Sequence, residues 1–359
     1  MKRFIACILS VMILLTGCGN DTPAQPIEQT PAQSAEPTPA QTAEPTPAPE
    51  QAEPVADTVT TEAEPTTQAE DSIACEGKYR EFLLGEEVVF FDEQEDGDLS
   101  YIFDEYVEEE NRLNYSKGYT LAEVVDAMQK AVCSPDERKI ESCGYYTVDI
   151  GCDGEEELCV ELYDISAVDW CKISMVIKEF DGELRCVYTF LEMSRWYRNI
   201  TYDGVIEMAG SGGADCHYYG QSYLDAQGKY HFLYEEEFDG VYFLDDYKVK
   251  ELGGGLQAGL AELDDVYVNT DIVTFTEEEP YEAMIGVYAM DSDMTEEIAA
   301  DDPKMEEILK IYSDAGITVS TDEEIEQAIN RHCLDRGITE EMRNSADKIQ
   351  RHVLYAKEQ

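Results

Sequence analysis

The sequence predicts an α+β fold: an antiparallel β-sheet of hairpins and meander, an N-terminal helical part and C-terminal helices. Three observations carry it. Apolar residues alternate with period two, broken by Gly turns, from Tyr145 to about Met290. Helical spacing with capping signals brackets that region on both sides. Strands joined by hairpins, without intervening helices, imply antiparallel pairing rather than βαβ units.

Thr120-Leu121-Ala122-Glu123 is a capping box that opens a helix with Leu121, Val124, Val125 and Met128 on one face, and Pro135 follows its end. Tyr145–Ile150, Glu157–Tyr163, Lys172–Phe180 and Glu183–Leu191 read as strands, the last two joined by the type I′ signal Asp181-Gly182. Further strands are expected at Tyr218–Leu224, Lys229–Glu235 and Val241–Val249, with turns at Gln227-Gly228 and Asp239-Gly240. Asp302-Pro303 starts a helix that turns Met305, Ile308, Leu309 and Tyr312 inward and stops at Gly316. Thr321 to Glu324 is a second capping box, before Ile325, Ala328 and Ile329, and Gly337 closes that helix. A third helix is expected from Thr339 through Met342, Ala346, Ile349 and Val353.

Composition divides the chain into 1–17, 18–72 and 73–359, the last β-rich over 145–290 and helical over 302–355. The whole carries 25 Lys+Arg against 79 Asp+Glu, a formal net charge of −54. Such charge repels phosphate and excludes nucleic acid as a partner. Of the charged residues, 68 acids and 23 bases lie after residue 72, a net of −45, with 35 of the 36 aromatics. Residues 19–72 hold ten of the thirteen prolines, no Lys or Arg, no aromatic, and near-repeats of Ala-Glu-Pro-Thr-Pro-Ala at 35–40 and 43–48. This composition buries too little surface to offset ordering entropy and reads as a tether. Fully extended, it reaches about 170 Å.

At the N-terminus, Lys2 and Arg3 precede the apolar run Phe4–Leu15, which is shorter than the ~20 residues of a membrane-spanning helix. Leu15-Thr16-Gly17-Cys18 resembles the bacterial lipobox. The resemblance implies a signal peptide at 1–17, cleavage before Cys18, diacylglycerol on its sulfur and acylation of the new N-terminus. Two acyl chains hold a protein on a membrane where one does so marginally. The expected location is therefore the extracytoplasmic face of the cell membrane, lipid-anchored.

Nine cysteines remain after Cys7 and Cys18, an odd number that cannot all pair within one chain. With no CxxC pair and four scattered histidines, the sequence carries no zinc pattern. One loop has the look of a site. Asp149-Ile150-Gly151-Cys152-Asp153-Gly154-Glu155-Glu156-Glu157-Leu158 resembles the D-x-D-G-D-G-x-x-E-L calcium loops of FG-GAP/VCBS-type repeats and dockerin-like proteins. The resemblance implies Asp149, Asp153 and Glu157 as Ca²⁺ ligands, with Gly151 standing where a further acid belongs. The other reading is a hairpin turn with solvated acids. Asp92–Asp98 resembles an EF-hand loop in part, with Phe103 at the position of the bidentate Glu.

No G-x-S-x-G, H-E-x-x-H, P-loop or Rossmann glycine pattern occurs. Trp170, Trp196 and Tyr197 could stack on sugars or pack in the sheet. The lipobox, the tether, Tyr79–Glu86, Asp149–Leu158 and Arg195–Gly204 together resemble the acidic lipoproteins of Gram-positive gut anaerobes. That resemblance implies an anchored extracytoplasmic protein and transfers no activity. Two function classes are expected: a non-enzymatic surface module binding a protein, glycan or divalent cation, and, as the alternative, a surface hydrolase cleaving carbohydrate through paired carboxylates.

Overall fold

The computed structural model describes residues 66–67, 73–91, 113–132, 140, 142–163, 172–192, 195–213, 216–240, 259–260, 263, 265–277, 282–292 and 294–356. All fall within the unit Ala63–Gln359. Its strands form two sheets. The first contains β1 (Thr66–Thr67), β2 (Val89–Phe91), β3 (Ser142–Val148), β4 (Glu157–Tyr163), β5 (Lys172–Phe180), β6 (Glu183–Glu192) and β13 (His352–Ala356), in the order β1-β13-β3-β4-β5-β6-β2. Only the short edge strand β2 runs parallel to its neighbour. The second is a six-stranded meander: β7 (Trp196–Ile200), β8 (Val205–Ser211), β9 (Cys216–Leu224), β10 (Tyr230–Gly240), β11 (Val266–Thr274) and β12 (Ala283–Asp291).

The first sheet is covered on both faces. Leu158, Val160 and Leu162 of β4 join Phe82 and Leu83 of α1 (Gly77–Leu83) and Val124 and Met128 of α2 (Leu121–Val132) in one core. On the other face Cys159, Val176 and Phe190 meet Ile200, Ile206 and Leu224 of the second sheet. Because side chains alternate along a strand, Glu157, Cys159, Glu161 and Tyr163 all point to that second face. Two carboxylates are thereby buried, each 1% exposed. This register positions the site described below.

The second sheet is flanked near β11 and β12. α3 (Pro303–Asp314) packs Met305, Ile308 and Tyr312 on Val268, Ile272 and Ile285. α4 (Asp322–Asp335) packs Ile325 on Val273 and Phe275, the opposite face. The helix caps form as the sequence dictates: Thr120 with Glu123, Asp302 with the Lys304 N–H, and Thr321 with Glu324. Asp181 and Gly182 both adopt positive φ, as a type I′ turn requires.

The structure corrects five expectations. β3 starts at Ser142 and ends at Val148, and Ile150 begins a 3₁₀ turn over Ile150–Cys152. Asp239 and Gly240 are not a turn but the end of β10, paired to β11 on one side; Asp239 also pairs with Cys216 of β9. Leu309 is 36% exposed, on the rim of the face that Ile308 and Tyr312 bury. The third C-terminal helix is only α5 (Glu340–Arg343), followed by a 3₁₀ turn and then β13. Val353 is exposed, Leu354 buried, and His352 and Tyr355 half-buried, and backbone pairing with β3 outweighs the segment's weak helical periodicity. Finally, Thr66 and Thr67, inside the segment read as tether, pair with Ala356 and Tyr355. The strand expected at Val241–Val249, the Asp92–Asp98 loop and Cys18 lie outside the described residues.

Candidate functional site

The loop between β3 and β4 is built around its own carboxylates. Asp149 Oδ1 accepts from the Gly154 N–H at 3.1 Å, and Asp153 Oδ1 from the Glu155 N–H at 2.9 Å. Glu157 Oε2 reaches back to the Ile150 N–H at 3.0 Å. Gly151, Cys152 and Gly154 take positive φ to make this path, and Cys152 is the one exposed thiol among the described cysteines. Cys75, Cys143, Cys159, Cys186, Cys216 and Cys333 are buried, and no disulfide forms among the described cysteines; they serve as small groups in the cores.

Two of the three residues expected to ligate calcium, Asp153 and Glu157, face a lysine, while Asp149 turns to the Gly154 N–H. Lys178 of β5 pairs with Glu157 Oε1, and its Nζ lies 4.0 Å from Asp153 Oδ2. The Lys178 and Glu157 side chains are 8% and 1% exposed. Burial pushes the Glu157 carboxyl above the usual range, against the pull of Lys178 and the Ile150 N–H. An ammonium thus occupies the position from which a divalent cation would meet Asp153 and Glu157. Among the described residues, no group of three His, Cys, Asp or Glu is placed to hold a metal.

A cleft of about 350 Å³ opens beside this pair, lined by Tyr79, Glu155, Glu156, Glu157, Lys178, Glu179 and Asp181. Tyr79 comes from α1, and its hydroxyl accepts the Glu179 N–H at 3.2 Å. Burial raises that phenol. Tyr202 donates to Glu156 Oε1 at 2.6 Å, a bond that pushes its own hydroxyl up to about 12. Glu155, Glu156, Glu179 and Asp181 are solvent-exposed. Sequence patterns missed Lys178, Tyr79 and Glu179. The available cue was the polar Lys178 in a run otherwise fit for a buried strand, in register to face Glu157.

A second buried carboxylate, Glu161, is held differently. Tyr163 donates to it, Lys172 Nζ lies 3.2 Å from it and Arg351 Nε 3.4 Å. Lys172 also meets Glu192 at 2.9 Å; burial disfavours its charge, but Glu161 and Glu192 outweigh that and raise its pKa. Arg351 continues to Asn199 of β7 at 3.0 Å, tying the chain before β13 to the second sheet. With three internal donors, Glu161 is a structural crosslink.

The aromatic candidates separate. Trp196 stacks on Tyr218 with ring centroids 5.5 Å apart and lies directly over Gly210, where a Cβ would come within 2.7 Å of the indole. It is a packing residue. Tyr197, on the opposite face of β7, is 47% exposed. Trp170 lies outside the described residues. Comparison of the chain with family models, with curated proteins and with solved structures found no match.

Proposed function

We propose that the chain is a membrane-anchored extracytoplasmic binding module, held on the lipid surface through Cys18, that offers the acidic cleft beside Lys178 to a positively charged segment of a partner protein. The lipobox and the Pro-rich tether support the anchor. The observation that carries the binding reading is the charge of the cleft walls. Five acids line it against one lysine, and that lysine is consumed by Glu157. Glu155, Glu156, Glu179 and Asp181 therefore present net negative charge to solvent. Acids lining one cleft focus the field of a domain of net −45 and raise the encounter rate of a cationic partner, an effect that salt screens.

Fractionation of cells making the wild type and Cys18→Ala tests the anchor. The wild type takes up a fatty-acid probe and stays with the membrane, and Cys18→Ala does neither. A wild type that takes up no probe and is released into the medium overturns it.

A further inference from the structure

The loop that carries Glu155 and Glu156 into the cleft is held from outside by a turn of the second sheet. Asp225, which follows β9, organises the turn into β10. Its Oδ1 accepts the N–H groups of Gln227 at 2.9 Å and Lys229 at 3.0 Å. Its own N–H donates to the Lys229 carbonyl at 3.0 Å, and its carbonyl accepts the Gly228 N–H at 2.8 Å. The other carboxylate oxygen, Oδ2, lies 2.7 Å from His231 Nε2. The imidazole stacks on Tyr223, its partner across the two strands, with ring centroids 4.8 Å apart. Burial opposes the Asp225 charge, but His231 and the turn N–H groups outweigh it and hold the carboxyl below its ordinary range. An ionised carboxylate only accepts, so the bond places hydrogen on Nε2 and leaves Nδ1 bare in the neutral ring.

The turn so fixed touches two elements of the first sheet. A Cβ on Gly151 would stand 2.3 Å from the Ala226 amide nitrogen and 2.5 Å from the Ala226 Cα. A Cβ on Gly228 would come within 2.5 Å of the Val187 Cβ of β6. The first of these contacts is backbone against backbone, with no flexible side chain to yield, so the place of Ala226 sets the place of the β3–β4 loop. The turn between β7 and β8 secures the same loop. Tyr202 accepts the Asp149 N–H at its carbonyl, 2.7 Å away, and the Leu224 N–H donates to the Gly204 carbonyl at 3.0 Å, joining this second turn to the end of β9.

We propose that Asp225 and His231 are positioning residues for the cleft: their bond fixes the β9–β10 turn, and the turn fixes the β3–β4 loop that presents Glu155 and Glu156. Without the Asp225 carboxylate, the Gln227 and Lys229 N–H groups lose their acceptor, Ala226 is no longer held, and Gly151 loses its seat. The consequence for binding rests on the reading of the cleft as a binding site, whereas the ordering of the loop does not.

The test uses the full-length protein with Asp225→Ala, His231→Ala and His231→Gln, of which the last keeps an N–H for Asp225. Nitrogen NMR of the neutral His231 ring in the wild type should show hydrogen on Nε2 alone. Hydrogen exchange at the Ile150 and Gly154 amides should speed several-fold in Asp225→Ala and His231→Ala and stay near wild type in His231→Gln, while the amides of β4 and β5 keep their protection. Affinity for a lysine-rich peptide should fall in the same order. Unchanged exchange at Ile150 and Gly154 in Asp225→Ala, or hydrogen on Nδ1 of the neutral ring, overturns the proposal. Loss of protection throughout β4 and β5 as well would mark a general destabilisation and likewise overturns it. A wild type that binds no such peptide overturns the reading of the cleft, and the exchange measurements still decide the positioning role. Should Asp225→Ala fail to fold, the two histidine variants and the ring spectrum decide it.

Discussion

Gly151 lies so close to Ala226 that a Cβ at 151 would stand 2.3 Å from the Ala226 amide nitrogen. This contact seats the β3–β4 loop on the turn between β9 and β10, and it occurs at a backbone φ of 74° that already favours glycine. Where the calcium-loop pattern calls for an acid, the fold therefore demands the smallest residue. Gly151→Ala should destabilise by about 1–3 kcal/mol, from overpacking against backbone plus positive-φ strain. Gly154→Ala, also at positive φ but with open space around it, should cost only about 1 kcal/mol. Denaturant midpoints of the two variants compare them, and equal costs would mean that Ala226 yields.

Lys178 and Glu157 form an ion pair out of solvent, so removing one partner strands the other. Lys178→Met should cost about 3–5 kcal/mol. Adding Glu157→Gln, which keeps an acceptor for the Ile150 N–H, should recover most of the loss. A double-mutant cycle measures the coupling, and additive losses would show the pair to be energetically idle.

Calcium and Lys178 compete for the same oxygens of Asp153 and Glu157. The Lys178→Met variant should gain a larger thermal shift from millimolar calcium than the wild type, beyond that of sodium at matched ionic strength. Asp153→Ala in that background should abolish the excess. An equal response of wild type and Lys178→Met would show that the loop oxygens stay closed to cations.

Much of the fold was legible because local chemistry and tertiary structure agree. The Thr120 and Thr321 capping boxes, the Asp181-Gly182 turn and the limits of Glu157–Tyr163 and Lys172–Phe180 stand where the residue pattern puts them. Failures come where long-range pairing decides. β13 was hidden because 352–356 pairs with β3, some two hundred residues earlier, which no local pattern reveals. The end of β10 was hidden because Asp239-Gly240 resembles a turn until β9 and β11 flank it. The site was half legible: Asp153 and Glu157 both face Lys178, which arrives from another strand and was not read from the loop pattern.

The most direct measurement is calorimetric titration of the full-length protein with a lysine-rich peptide, against an acidic peptide of equal length, at low and high salt. The basic peptide should bind, weaken as salt rises, and bind several-fold more weakly to a Glu155→Gln, Glu179→Gln, Asp181→Asn triple variant, whose substituted side chains line the cleft without touching the Lys178–Glu157 pair's charge. Undiminished binding by the triple variant, or equal binding of the acidic peptide, would contradict the assignment of this cleft to a cationic partner.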